Sequence, residues 1–280
     1  AELVWPQPFP HTLAVTLHAV PLLLQSLDLW GCLGVVFLIA MTNASVADGW
    51  ATRAQPARRA GIAITLAWGA NALYGLARFS QLDASVRTAE QAHIAIIQPN
   101  VAPADKHARP EDAFDLHLAL TRSAISSNTP ADLVVWGETA IASPVETSRL
   151  RSGLALRFRG ALPAPLLTGA IVRERDGRLT NSVLWIESDG FVCERCRYDK
   201  RRRVPLAEFA PGLQWLTRNI PRATSFAAGD DAHALELRGK HRAAAFVCLE
   251  SLDARLVASL VDEHVDLLVT VANDGWFGET

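Results

Sequence analysis

Residues 131–138, Ala-Asp-Leu-Val-Val-Trp-Gly-Glu, place four consecutive apolar side chains between an aspartate and a Gly-Glu pair. A run this short, rich in valine and closed by polar residues, reads as a buried strand rather than a helix, and it leaves Glu138 just beyond the strand end. The same pattern repeats on both sides. His93 to Gln98 is stopped by Pro99 and Asn100, Pro165 to Val172 returns to strand, Ala243 to Leu249 carries Cys248 at its end, and Asp266 to Ala272 runs into Asn273-Asp274. Thr180 to Glu187 and Phe191 to Tyr198 flank Ser188-Asp189-Gly190, a hairpin turn. Glu111 to Ile125 has Phe114, Leu118 and Ile125 at near-helical spacing with acids at its start, and Glu146 to Phe158 and Asp253 to Val261 are further helices. Strands and helices in this order predict layered α/β sheets covered by helices.

Upstream the chain changes character. Between Thr12 and Phe79 the only formal charges are Asp28, Asp48, Arg53, Arg58, Arg59 and Arg78. Two uncharged stretches, Leu29 to Ala47 and Ala60 to Ala77, approach the roughly 20 apolar residues that cross a bilayer. A pair of buried core helices is the competing interpretation. The joining loop holds Arg53, Arg58 and Arg59 against Asp48 alone, so by the positive-inside rule it faces the cytoplasm and everything after Phe79 faces outward. Thr12 to Leu27, interrupted by His18, Pro21 and Gln25, reads as interfacial or re-entrant. Residues 1–80 therefore form a membrane region and 81–280 a second domain, with Ser80 to Gln91 between them as linker. The start lacks Met and a basic n-region, so no signal peptide is read there, and the chain has the look of a piece of a longer membrane protein. A net charge of -2 gives no electrostatic reason to expect nucleic acid.

Polar groups at strand ends are the candidates for chemistry: Glu138, Cys248, Asn273-Asp274, and Lys200 just past the second hairpin strand. Each has a plain alternative. A cysteine in an apolar strand is usually an inert thiol. Glu138 reads equally as a loop residue, and Lys200 as one member of the solvated or lipid-phosphate-binding run Lys200 to Arg203. Cys193 and Cys196 have knuckle or redox spacing, but no second pair exists, and positions three apart in a strand face opposite sides.

Four short stretches decide between these readings. They are Val135-Trp136-Gly137-Glu138-Thr139; Tyr198-Asp199-Lys200 followed by Val204-Pro205-Leu206-Ala207-Glu208-Phe209-Ala210-Pro211; Val247-Cys248-Leu249-Glu250; and Asn273-Asp274-Gly275-Trp276-Phe277-Gly278. In order and wording they resemble the carbon-nitrogen hydrolase superfamily and, within it, the apolipoprotein N-acyltransferases. Gly137, Leu206-Ala207, Leu249 and Arg203 depart from the usual residues without removing a catalytic group. Asp28-Leu29-Trp30-Gly31 and Asn43 also resemble the helix that precedes that family's hydrolase domain.

The resemblance implies a nitrilase-like α-β-β-α sandwich preceded by transmembrane α-helices, in a segment short of the family's remaining hydrolase strands. It implies Cys248 as nucleophile, Glu138 as base, Lys200 as oxyanion donor, Glu208 and Glu250 as supporting groups, and Trp276 and Phe277 bordering an acyl-chain entrance. The implied reaction moves an acyl chain from a phospholipid, through a cysteine thioester, to the free amine of a diacylglyceryl-cysteine apolipoprotein on the outer face of a bacterial inner membrane. It requires no metal and no cofactor. An amidase or nitrilase acting on a small amide uses the same three residues, and a non-catalytic membrane module is the reading from another class.

Overall fold

In this computed structural model the described residues are 12–52, 55–125, 130–150, 154–158, 162–204, 208, 226–230, 233–237, 241–262, 264–273 and 275. The chain divides into two compact units, residues 1–91 and 92–280.

The first unit has two 3-10 turns, Leu13–Leu17 and Pro21–Leu24, then α1 (Leu27–Thr52) and α2 (Gln55–Thr88). Helix α2 continues through most of the stretch expected to be linker, because nothing from Ser80 to Thr88 is a glycine or proline that would stop it. Helix α1 is interrupted at Gly31, whose φ of 62° suits a residue without a Cβ. Leu29, Trp30, Phe37 and Val46 of α1 and Ile62, Leu66, Leu73 and Leu76 of α2 are exposed, and Val35 is the one buried side chain of α1 among the described residues. Helices with apolar side chains turned outward all round do not form a water-soluble core. Both are long and apolar enough to cross a bilayer. Polar ties join them: Trp68 Nε1 donates to Thr42 Oγ1 at 2.8 Å, and Asp28 accepts from Tyr74 Oη at 2.9 Å and pairs with Arg78 at 2.9 Å.

The second unit is layered. β1 (Ile94–Ile97) leads through α3 (Pro103–Ala108) and α4 (Pro110–Ile125) to β2 (Leu133–Trp136) and β3 (Ile141–Glu146). After a short helix, α5 (Ala155–Phe158), come β4 (Leu166–Arg173), β5 (Leu179–Ile186), β6 (Val192–Asp199) and β7 (Phe226–Ala227). These strands form one sheet ordered β1-β2-β4-β5-β6, with β3 also on β4 and β7 also on β5. Strands β8 (Leu235–Glu236), β9 (Arg242–Val247) and β10 (Leu267–Val271) form a second, ordered β10-β9-β8, and α6 (Ala254–Leu260) lies between β9 and β10 in sequence.

Alternation along β2 makes the layers. Val134 and Trp136 pack with Phe114 and Leu118 of α4, while Leu133 and Val135 pack with Ala244, Phe246, Leu256 and Val271 of the second sheet and α6. The result is helix, sheet, sheet, helix. The helix expected over Glu146 to Phe158 is present in pieces among the described residues, with Glu146 itself ending a strand. Ile141–Glu146 is a strand on β4, tolerating Pro144 at an edge where no further ladder partner is needed; helical structure follows at once in the 3-10 turn Thr147–Arg149 and at Leu150, and again in α5.

Cys193 and Cys196 also depart from expectation, since they form a disulfide with Cα atoms 5.1 Å apart. Between Ile186↔Val192 and Leu184↔Arg197, five residue steps on β6 oppose two on β5. That bulge cancels the strand parity that would have pointed the two sulfurs to opposite faces.

Candidate active site

Glu138 sits where β4 changes partners. β2 runs beside the first half of β4 through Val134↔Leu166 and Val135↔Leu167, and β3 beside the second through Ile141↔Ala170 and Val145↔Val172. The chain must step sideways between them, and Thr139 takes a φ of 48° to do so. The step is held by main chain on two sides: Gly169 N donates to Gly137 O at 3.2 Å, and Glu138 N donates to Ala272 O, just past β10, at 3.2 Å. Gly169 makes this approach possible. A Cβ there would lie 2.5 Å from Thr139 N, 2.7 Å from Glu138 Cα and 2.7 Å from Gly137 O.

Lys200 follows β6, its amide donating to Asn181 O at 2.8 Å and its carbonyl accepting from Gly229 N at 2.9 Å. Its side chain is 1% exposed, and its ammonium donates to Glu138 Oε1 at 3.2 Å and Glu208 Oε1 at 2.8 Å. The Lys200 of the structure is thus no part of a solvated basic run, although Arg202, paired with Asp253 at 2.8 Å, is largely exposed. Burial draws the Lys200 pKa down, but the charges of Glu138 and Glu208 outweigh it, and the net shift is upward. The ammonium is fixed in its charged form.

Cys248 occupies the sharp turn after β9. Its φ is 54°, uncommon for a residue with a side chain, and it puts the thiol at the end of the strand rather than within it. The half-buried thiol lies in the fields of Glu138, Lys200 and Glu208. Burial first, and the Glu138 charge second, push its pKa up to about 11 against the pull of Lys200 and the Leu249 N–H. The resting form is therefore the neutral thiol.

Glu208 and Glu250 hold the surroundings. Glu208 Oε2 accepts from Val204 N at 2.9 Å while Oε1 takes Lys200. Fully buried Glu250 accepts from Arg201 N at 2.7 Å, Arg202 N at 2.9 Å and Val247 N at 2.9 Å, so one carboxylate ties the backbone after Lys200 to the backbone before Cys248. Trp276, Phe277 and Asp274 lie outside the described residues, as does most of the stretch from Pro205 to Pro211.

Sequence reasoning missed two members of the cluster. Asn181, buried inside β5, donates from Nδ2 to Glu138 Oε1 at 2.8 Å and reaches Glu208 Oε1 at 3.4 Å. The polar triplet Thr180-Asn181-Ser182 in an otherwise apolar strand was the available signal. Lys106 of α3, 5% exposed, donates from Nζ to Glu138 O at 3.1 Å.

A four-layer α-β-β-α sandwich that gathers a thiol, a carboxylate and an ammonium at strand ends has the architecture of the nitrilase fold. Residues 93–280 match the carbon-nitrogen hydrolase family, and the chain belongs to that family. It is 28% identical to apolipoprotein N-acyltransferase 2 of Treponema pallidum (strain Nichols) over 95% of this chain and 55% of that one. It is 30% identical to the apolipoprotein N-acyltransferase of Brucella suis biovar 1 (strain 1330) over 93% of this chain and 50% of that one. An amidase from Nesterenkonia sp. superposes with a TM-score of 0.47 at 18% identity, over 66% of each chain. The chain spans about half the length of the curated relatives it matches.

Proposed function

We propose that this protein transfers an acyl chain from a phospholipid to the N-terminal amine of a diacylglyceryl-cysteine apolipoprotein, with Cys248 carrying the chain as a thioester. The observation that supports this best is the buried cluster itself: a permanently charged Lys200 held between Glu138 and Glu208, with a protonated thiol in its field.

Both donors to the Glu138 carboxylate, Asn181 and Lys200, use Oε1, and among the described residues none occupies Oε2. Oε2 takes the Cys248 proton as sulfur attacks the ester carbonyl carbon. The carbonyl electron pair moves to oxygen, where the third proton of the Lys200 ammonium donates to the growing charge. Collapse breaks the ester C–O bond, and the leaving lysophospholipid alkoxide recovers the proton from Glu138. The acceptor amine then attacks the thioester, Glu138 takes an amine proton, and the departing thiolate is reprotonated from Glu138. Relatives named apolipoprotein N-acyltransferase support this substrate pair.

α1 and α2 cross the bacterial inner membrane in this reading, and residues 81–280 lie on its periplasmic face. Arg53, Arg58 and Arg59, between the two uncharged stretches, favour a cytoplasmic side there. The Cys193–Cys196 disulfide fits an oxidising compartment. Holding the site beside a bilayer confines both lipid-borne substrates to its surface and favours productive orientation.

The test is incubation of the intact protein with phospholipid bearing a labelled acyl chain and no acceptor. Label on Cys248, released by neutral hydroxylamine and passed on to an added diacylglyceryl-cysteine peptide, is the expected result. Rapid release of free fatty acid without acceptor would make the protein a hydrolase, and undiminished transfer by Cys248→Ala would end the covalent mechanism.

A further inference from the structure

The segment carrying Glu138 has three supports, and only two of them are main chain. Gly169 N holds the carbonyl of Gly137 from β4, and the carbonyl of Ala272 holds the Glu138 amide from the end of β10. The third polar group of the segment, the Glu138 carbonyl, is met by a side chain, the ammonium of Lys106 at 3.1 Å. We propose that Lys106 is a positioning residue for the base, fixing the Glu138 peptide so that the carboxylate keeps its aim at the Cys248 thiol.

Lys106 reaches Glu138 from α3, which packs beside α4 and β3. With His117, Gln98, Asn100 and Asn273 it lines a cavity of about 200 Å³ at the ends of β1, β2 and β10. Neither Cys248 nor Lys200 lines that cavity. The ammonium bonds the Glu138 main-chain carbonyl, while the carboxylate is held by Asn181 and Lys200, so Lys106 supports the backbone without taking part in the proton transfer. Burial pulls its pKa down to about 8, with the Glu138 charge opposing, so it remains largely charged at neutral pH. Burying an ammonium is costly, and a neutral donor would satisfy one carbonyl at lower cost. A charged donor makes the stronger hydrogen bond, which suits a segment that has to hold Thr139 at a φ of 48°. His117 is neutral here, its pKa pushed down to about 4 by burial foremost and by the Lys106 charge, and its Nδ1 is engaged with Ala113 O at 2.6 Å. It therefore adds no second positive charge beside Lys106.

This inference rests on the proposed roles of Glu138 and Cys248. Because Glu138 serves both half-reactions, loss of its alignment slows both, which separates positioning from mere stability. In the intact protein, Lys106→Met removes the donor and Lys106→Gln keeps a shorter, neutral one. Single-turnover labelling of Cys248 by phospholipid, and discharge of the labelled protein to a diacylglyceryl-cysteine peptide, are followed with the final label per folded molecule as a third readout. Met is expected to slow both steps about 10- to 100-fold, the scale of a misplacement of about 1 Å, and Gln at least about threefold, with the apparent KM for lipid and the final label unchanged. Wild-type rates in Lys106→Met overturn the inference, as does lower final label with an unchanged rate. If Met does not fold, Gln decides alone, and a wild-type rate in Gln overturns it. Failure of the wild-type protein to acquire label on Cys248 would count against the acyl-enzyme reading instead.

Discussion

Gly169→Ala tests how tightly the Glu138 segment is built. The added Cβ would meet only backbone atoms, Thr139 N at 2.5 Å, Glu138 Cα at 2.7 Å and Gly137 O at 2.7 Å, against about 3.4 Å for ordinary contact. Relief therefore requires the segment to move by about 0.7 to 0.9 Å, and no side chain can rotate away to supply it. A shift of that size displaces Glu138 relative to Asn181 and Lys200 and lengthens the Gly169 N to Gly137 O hydrogen bond. On the scale of overpacked cores it costs about 1–3 kcal/mol of stability, and misplacing the proposed base by this distance costs about 100-fold in rate. The assay pairs thermal unfolding with the single-turnover rate of Cys248 labelling, so that lost protein is separated from lost chemistry. Gly61→Ala, at an open position in α2 with nothing within 4 Å, serves as control. A Gly169→Ala protein with wild-type melting and wild-type labelling rate would refute the close approach and the positional precision inferred from it.

Three further outcomes follow from the same geometry. Lys200→Ala is expected to lower turnover about 100- to 1000-fold, and Arg202→Ala, which removes one largely exposed ion pair, less than about threefold; similar small losses from both would return Lys200 to the basic run. With the Cys248 pKa near 11, the neutral thiol persists through physiological pH, so its alkylation by iodoacetamide should climb steadily with pH to about pH 10; a plateau at or below about 8.5, the value of an ordinary thiol, would contradict the burial that raises it. Alkylation of the denatured, unreduced protein should modify Cys32 and Cys248 while leaving Cys193 and Cys196 unmodified until a reductant is added, and four modified cysteines without reductant would remove the disulfide.

Much of this fold is written in runs of four to eight residues. Leu133–Trp136, Arg242–Val247 and Leu267–Val271 are legible as strands because each is a short, almost wholly apolar run between polar residues. Glu138 and Cys248 stand out because each lies at the end of such a run, whereas Lys200 follows the more polar second hairpin strand. Other elements are set by partners distant in sequence. Ile141–Glu146, with a proline inside it, is not read as a strand from its own residues, and only the free half of the β4 edge makes it one. The Cys193–Cys196 pair reads as divergent until the bulge against β5 brings the two residues together.

The supporting residues are obscured for a different reason. Asn181 and Lys106 lie within local sequences, Leu-Thr-Asn-Ser and Ala-Asp-Lys-His, that would suit a solvent-facing surface. Their burial is imposed by the layers above and below them, since β5 is an interior strand and α3 is placed where Lys106 reaches Glu138 O. Gly169 is the intermediate case, because a glycine inside an apolar strand signals a close neighbour without saying which. Once Glu138 is known to step between β2 and β3, that neighbour must be the Glu138 backbone, and the required pieces become interdependent. A glycine admits the segment, and two main-chain bonds and one buried ammonium hold it. A carboxylate so restrained can share Oε1 between Asn181 and Lys200 while Oε2 stays open, which a flexible loop glutamate could not sustain against the pull of the same ammonium.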